Sequence, residues 1–211
     1  RVYTLSHEGD LFCLSASNGK VLWRKNLLRD FGGSRQRWGY AGSPLVDGNL
    51  VIVDSGGGGA STVALDKTTG ALKWKAGDDE AGYSSPVAFD LAGIRCVAVF
   101  KADALVGLNA ANGQELWRFR WKTRSEVNAP TPLVFGDKIF ITSGYGTGCA
   151  LVQVSPGKAT QIWRNKNMRS QLGSPVLVQG YIFGIDGNVG GGELRCLEAA
   201  NGEMKWKQNI G

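Results

Sequence analysis

The chain has 211 residues, with 31 glycines against 6 prolines, and 24 Lys and Arg against 18 Asp and Glu for a formal charge of +6. With 43% hydrophobic residues it can bury a sizeable core, which excludes an intrinsically disordered chain. No apolar run approaches the roughly 20 residues that a membrane-spanning helix needs.

In chain order, residues 1–6 read as a strand, and residues 6–10 form a turn around the sole histidine, His7. Leu11-Phe12-Cys13-Leu14 alternates like a strand with one buried face, Asn18-Gly19 makes a turn, and a second strand carries Trp23. The same hairpin returns at residues 62–74, 105–117 and 194–206, with Trp74, Trp117 and Trp206 at its end. A fourth copy ending at Trp163 is degenerate, because Gly157 stands six residues before the indole instead of four. The indoles recur every 43 to 51 residues, the signature of a repeat architecture.

A second pair of strands precedes each later hairpin, at residues 43–53, 85–100, 131–142 and 174–185. Each opens on Pro44, Pro86, Pro132 or Pro175, a residue suited to the first position of a strand, where no ladder donor is needed. Each unit is therefore four short antiparallel strands, one propeller blade. The fold class expected is all-β: a single propeller domain over residues 1–211, about four and a half blades, part of a larger seven- or eight-bladed ring. The blades span approximately 1–27 (partial), 43–76, 85–121, 131–166 and 174–207. A ring at one position of every unit predicts packing against the neighbouring blade, so Trp23, Trp74, Trp117, Trp163 and Trp206 are expected to dock blades together. Exposed blade edges predict self-association. The natural N-terminus is expected to lie upstream, since the chain starts at Arg1 without a signal peptide.

At these residues the sequence resembles the pyrroloquinoline-quinone-type propeller repeat family. Its tryptophan-docking pattern appears most fully as Ala64-Leu65-Asp66-Lys67-Thr68-Thr69-Gly70-Ala71-Leu72-Lys73-Trp74, and the likeness covers nearly the whole chain. The resemblance implies an exported protein, periplasmic or associated with the cell envelope. It leaves open two kinds of member: quinone-dependent alcohol or sugar dehydrogenases, and non-catalytic scaffolds such as the propeller lipoprotein that assists outer-membrane protein assembly. The dehydrogenases use a vicinal disulfide, a calcium held by Glu, Asn and Asp, and a catalytic Asp.

This chain has no adjacent cysteines: Cys13, Cys96, Cys149 and Cys196 lie apart in apolar runs and read as buried small side chains. The acidic run Asp78-Asp79-Glu80 reads as a solvated loop before a calcium site, and the glycine run at 56–59 lacks the Lys-Ser/Thr of a phosphate cradle. His7 reads as a surface turn residue rather than a general base. No catalytic residue, metal or cofactor is therefore expected, with pyrroloquinoline quinone and calcium as the alternative. The basic residues mostly flank the indoles at fixed offsets, as solvated strand ends do, so nucleic acid is not expected as a partner.

The loops before each innermost strand should converge on the axial funnel, and they differ between blades while the scaffold repeats. Irregular residues on a regular frame are where binding usually sits. The funnel candidates are Arg37, Trp38, Tyr40, Tyr83, Ser84, Asn128 and Gln171, able to stack on a sugar, a quinone or a peptide side chain or simply to pack against one another. The function expected is a non-catalytic binding or scaffolding propeller for a protein or carbohydrate partner, with a quinone-dependent alcohol or sugar dehydrogenase as the alternative.

Overall fold

A computed structural model describes residues 1–188 and 190–210. They form five separate antiparallel sheets in an open arc, each strand pairing with its sequence neighbour. The first sheet holds β1 (Val2–Leu5), β2 (Asp10–Leu14) and β3 (Val21–Asn26). The second holds β4 (Leu45–Asp47), β5 (Leu50–Asp54), β6 (Thr62–Asp66) and β7 (Leu72–Ala76). The third holds β8 (Val87–Leu91), β9 (Ile94–Phe100), β10 (Ala104–Asn109) and β11 (Glu115–Arg120). The fourth holds β12 (Leu133–Phe135), β13 (Lys138–Ser143), β14 (Gly148–Ser155) and β15 (Lys158–Asn165). The fifth holds β16 (Val176–Val178), β17 (Tyr181–Asp186), β18 (Glu193–Glu198) and β19 (Met204–Asn209). The last strand runs two residues beyond the expected end at 207, and Gly211 lies outside the described residues. One short helix, α1 (Leu27–Phe31), is capped by Asn26, which accepts from the Arg29 N–H, and is closed by Gly32 in the left-handed region.

In the regular repeats the hairpin turn is built by its own side chains. Asp66 accepts the backbone N–H groups of Thr68 and Thr69 at 2.9 and 3.0 Å; these bonds hold its carboxyl at about 2, well below the usual carboxylate range. Asn109 repeats the device on Ala111.

The core lies between the sheets, where one blade's indole meets the next blade's turn. Trp23 Nε1 donates to Lys67 O at 3.2 Å, Trp74 Nε1 to Ala110 O at 2.9 Å, and Trp163 Nε1 to Ala199 O at 3.0 Å. These acceptors occupy one repeat position, three residues before the motif glycine. That glycine lies flat on the ring with φ of 71°, 77° and 74° at Gly70, Gly113 and Gly202. A Cβ there would stand 2.9, 2.5 and 2.7 Å from Trp23, Trp74 and Trp163. The motif thus needs glycine twice over, for its backbone conformation and for the approach of the indole.

All five outer strands carry a β-bulge at the residue before the indole: Trp74 pairs with Ala64 and Leu72 with Leu65, leaving Lys73 unpaired, and the other four hairpins shift in the same place. The extra residue raises the local twist and re-aims the ring toward the neighbouring blade.

Two of the five expected docking indoles depart from this pattern. Trp117 is buried, but its Nε1 has no hydrogen-bond partner among the described residues. It lies over the neighbouring strand of its own sheet, where a Cβ at its partner Gly107 would stand 2.0 Å from the ring. The cause is the degenerate fourth hairpin: β14 and β15 are lengthened, and Gly157 donates instead to Leu116 O of the third blade at 2.8 Å. Trp121 takes over the bond, fully buried, donating to Ser143 Oγ at 2.9 Å under the Arg164 guanidinium at 4.2 Å. Trp206 is 44% exposed, because no described sheet covers its blade.

Candidate functional site

The loops that precede β4, β8, β12 and β16 meet at the axial end of the arc. Their bases are tied across blades, with the Ser43 N–H donating to Ser85 Oγ and the Thr131 N–H to Ser174 Oγ, both at 2.9 Å.

Three of the seven funnel candidates turn out to be foundations rather than lining. Tyr40 is buried, its hydroxyl donating to Ser55 O at 2.7 Å; burial, with the Asp54 charge nearby, pushes the phenol up to about 12. Ser84 is buried at the foot of its loop. Asn128 is fully buried, its Nδ2 donating to Lys101 O and Ala102 O at 2.8 and 3.0 Å while its Oδ1 accepts from Ser143 Oγ at 2.6 Å. A loop backbone that passes this close to the core leaves carbonyls to be satisfied, and these side chains satisfy them. They are corrected here from funnel lining to loop anchors.

Of the other four, Arg37 and Trp38 are exposed and Gln171 is half-buried, while Tyr83 is buried but presents its ring to the groove. Trp38 is 48% exposed, with its ring 5.9 Å from that of Tyr83 and the Arg37 guanidinium 5.1 Å above it. Gln171 Nε2 donates to the Tyr145 hydroxyl at 2.8 Å. Trp38, Tyr83, Val127, Tyr145, Gln171 and Leu172 enclose a mainly apolar groove of about 300 Å³. It continues past Trp38 and Tyr83 into a polar cleft of about 470 Å³ carrying Arg35, Arg37, Arg124, Glu80 and Glu126. Leu172 is 61% exposed and Tyr145 is exposed too. Tyr145 and Glu126 hold φ of 53° and 56°, a conformation that side chains adopt at a cost and that concentrates at functional loops. Tyr145 is held there partly by its N–H, which donates to Asn188 Oδ1 at 3.0 Å.

Beneath the funnel lie two charge clusters that carry no motif in the sequence. Lys101 Nζ, almost fully buried, meets Asp54 Oδ1 at 2.6 Å, Ser61 O and Oγ at 2.9 and 2.6 Å, and Thr62 Oγ1 at 2.8 Å. Burial pushes the Asp54 carboxyl up, while Lys101 and the Gly82 N–H pull it back. Asp186 accepts from Arg169 and pairs with Arg195 at 2.6 and 2.8 Å. The first cluster fastens the second blade to the third, and the second ties the fifth blade to the loop that leads into it. In the acidic run, Asp78 accepts the Gly59 N–H and Asp79 binds Arg118.

These residues do not fit a calcium-held quinone. Among the described residues no three His, Cys, Asp or Glu side chains group as a metal site. Asp54 and Asp186 are already neutralised by cations. The four cysteines are free and buried in different sheets. Burial pushes the Cys149 thiol up to about 12, the opposite of a reactive thiolate. No helix among the described residues is long and apolar enough to cross a membrane.

A family profile described as outer membrane protein assembly factor BamB matches residues 1–208. BamB of Moranella endobia is 26% identical over 226 residues, covering 100% of this chain and 55% of that protein. The crystal structure of BamB from Moraxella catarrhalis superposes with a TM-score of 0.62 at 14% identity, over 98% of this chain and 72% of that one. A quinohemoprotein alcohol dehydrogenase from Pseudomonas putida superposes at 0.59 with 13% identity, over 99% of this chain and 40% of that one. At such identities the structural likeness establishes the fold, and this chain spans about half the length of its curated BamB relative.

Proposed function

Since the chain belongs to the family of the outer membrane protein assembly factor BamB, we propose that it is an exported, non-catalytic scaffold of the cell envelope whose funnel groove grips a protein engaged in outer-membrane assembly. The observation that carries this reading is the groove itself. Exposed Trp38, Tyr145 and Leu172 surround an apolar slot; Tyr40 anchors the loop of Trp38, Asn128 accepts from Ser143 beside the turn of Tyr145, and Ser170 donates to Gly173 O across Leu172. Rigid aromatic side chains that bury area at small entropy cost, rimmed by arginines, are what protein hot spots use. A carbohydrate would need hydroxyl partners flush beside a ring, and the polar side chains of the apolar slot are few.

The dehydrogenase reading has the quinohemoprotein superposition in its favour, and one experiment separates the two. A photoreactive amino acid at Leu172 is expected to cross-link, in envelope extracts, to an outer-membrane assembly component identified by mass spectrometry. Trp38→Ala should cut the yield about tenfold or more, and the same group at exposed Lys158 on the outer rim should give none. Equal cross-linking from both positions contradicts the proposal, as does saturable binding of pyrroloquinoline quinone with calcium accompanied by dye-linked alcohol oxidation.

A further inference from the structure

The apolar slot and the polar cleft are two compartments of a longer groove. The cleft opens in turn into a pocket of about 300 Å³, with which it shares Glu80, Ala102 and Glu126. Asp78, Asp79, Glu80, Ala102, Asp103 and Glu126 line this pocket, so its walls are acidic at every position but one. Two loops carry the groove. The loop between β7 and β8 supplies Tyr83 to the slot and Asp78 to the pocket, and the loop between β11 and β12 supplies Val127 and Glu126. Every residue of the acidic end belongs to the third sheet or to the loops that leave the second and third sheets, so neighbours within the arc bound it.

Charge changes along this groove. None of the residues lining the slot is charged. In the cleft the signs balance: Arg35 is taken by Glu8, and Arg37 and Arg124 stand with Glu80 and Glu126. In the pocket they do not, although the chain as a whole carries +6. Asp79 is neutralised by Arg118, and Asp78 accepts the Gly59 N–H. The carboxylates of Glu80, Asp103 and Glu126 have no ion-pair or hydrogen-bond partner among the described residues. Like charges gathered around a hollow repel one another, and a cation that enters it relieves the repulsion. No three of these carboxylates converge closely enough to hold a metal ion. A guanidinium spreads five donors over a plane, so it can reach carboxylates that do not meet at a point.

We infer that the groove recognises an extended peptide segment by two side chains: an apolar one seated against Trp38, Tyr83 and Leu172, and a basic one, arginine before lysine, seated among Glu80, Asp103 and Glu126. This rests on the reading of the groove as a protein-binding site. The main chain between the two anchors crosses the balanced cleft, where Arg37 and Arg124 can donate to its carbonyls and Glu80 and Glu126 can accept from its N–H groups. The slot supplies affinity through buried area. The acidic pocket supplies direction, because a segment laid the other way would put its cation into the uncharged slot.

A random dodecapeptide library displayed on phage and panned against the 211-residue chain tests this. The selected peptides are expected to pair an aromatic or aliphatic residue with an arginine or lysine, at one spacing and in one order. Fluorescein-labelled copies should bind about tenfold more weakly to Trp38→Ala and to Glu80→Gln/Asp103→Asn. Added salt should weaken binding to the parent more than to the double variant. The decisive arm reverses the charge: Glu80→Lys/Asp103→Lys, panned afresh, should select Asp or Glu where the parent selects a base. Glu80 is exposed and Asp103 half-buried, and neither carboxylate carries a bond of the fold, so the variants keep their circular dichroism; Asp103→Asn alone replaces either if it does not. Peptides that need Trp38 but carry no base, or that bind the charge variants as they bind the parent, overturn the inference and leave the protein-binding groove standing. Peptides indifferent to Trp38 as well, or no selection at all, also overturn it, and the cross-link from Leu172 then decides by itself whether the groove binds protein.

Discussion

Replacing Trp74 with Ala is expected to destabilise the chain by about 3–5 kcal/mol, while the same change at Trp206 should cost no more than about 1 kcal/mol. The two indoles occupy one repeat position and have basic neighbours on both sides, so local sequence predicts equal effects. The difference lies across the junction. Trp74 is 8% exposed, buried among Ile52, Val97, Val99 and Val106, with its N–H bonded to Ala110 O. Its removal opens a cavity between two blades and strips that carbonyl of its donor. Trp206 has neither neighbour nor acceptor to lose in a single chain. Urea denaturation at concentrations where the chain is monomeric reads the difference. Equal losses at the two positions would mean that the indoles stabilise their own hairpins rather than the junctions.

Lys101→Met is expected to cost about 3–5 kcal/mol, because it leaves the Asp54 carboxylate buried without its cation. For a chain of this size that is a fall in melting temperature on the order of 10 °C. Asp54 would keep only the Gly82 N–H at 2.9 Å, and Ser61 O would lose the donor it meets at 2.9 Å. The double variant Asp54→Asn/Lys101→Met should recover more than half of the loss. Its amide can still accept from Gly82, and no charge remains to be buried. A single variant within about 0.5 kcal/mol of the parent would show that solvent already reaches the pair and screens it.

The repeat, its strand order and its hairpin turns are legible in the residues because each is local: alternation sets the buried face, and Asp-x-x-Thr-Gly writes its own turn. The bulge before every indole is less visible. It follows from pairing register, and a strand read alone has none. Trp117 looks like its sister indoles, and only the lengthened hairpin of the next blade denies it an acceptor. Gly157, displaced by two positions, was the available sign. Tyr40, Ser84 and Asn128 sit in loops whose composition suggests a surface, but loop carbonyls that run near a core recruit the nearest polar side chains inward. Lys101 and Asp54 are 47 residues apart in the chain and belong to no motif. A charged residue closing an apolar strand, as Lys101 does after Val97-Ala98-Val99-Phe100, was the one hint available. Irregularity on a repeating frame marks Trp38, Tyr83 and Gln171 in the sequence, whereas Tyr145 and Leu172 complete the groove from positions that composition does not distinguish.

Junctions held by an indole N–H on a neighbouring blade are tested most directly by a series of Trp→Phe variants in urea, which remove little more than the donor. Trp74→Phe and Trp163→Phe should each lose about 1–2 kcal/mol, since each leaves a carbonyl unpaired. Trp117→Phe should be neutral or slightly stabilising, since its buried N–H is already without a partner. Losses of the same size at all three positions would contradict blade docking through these bonds.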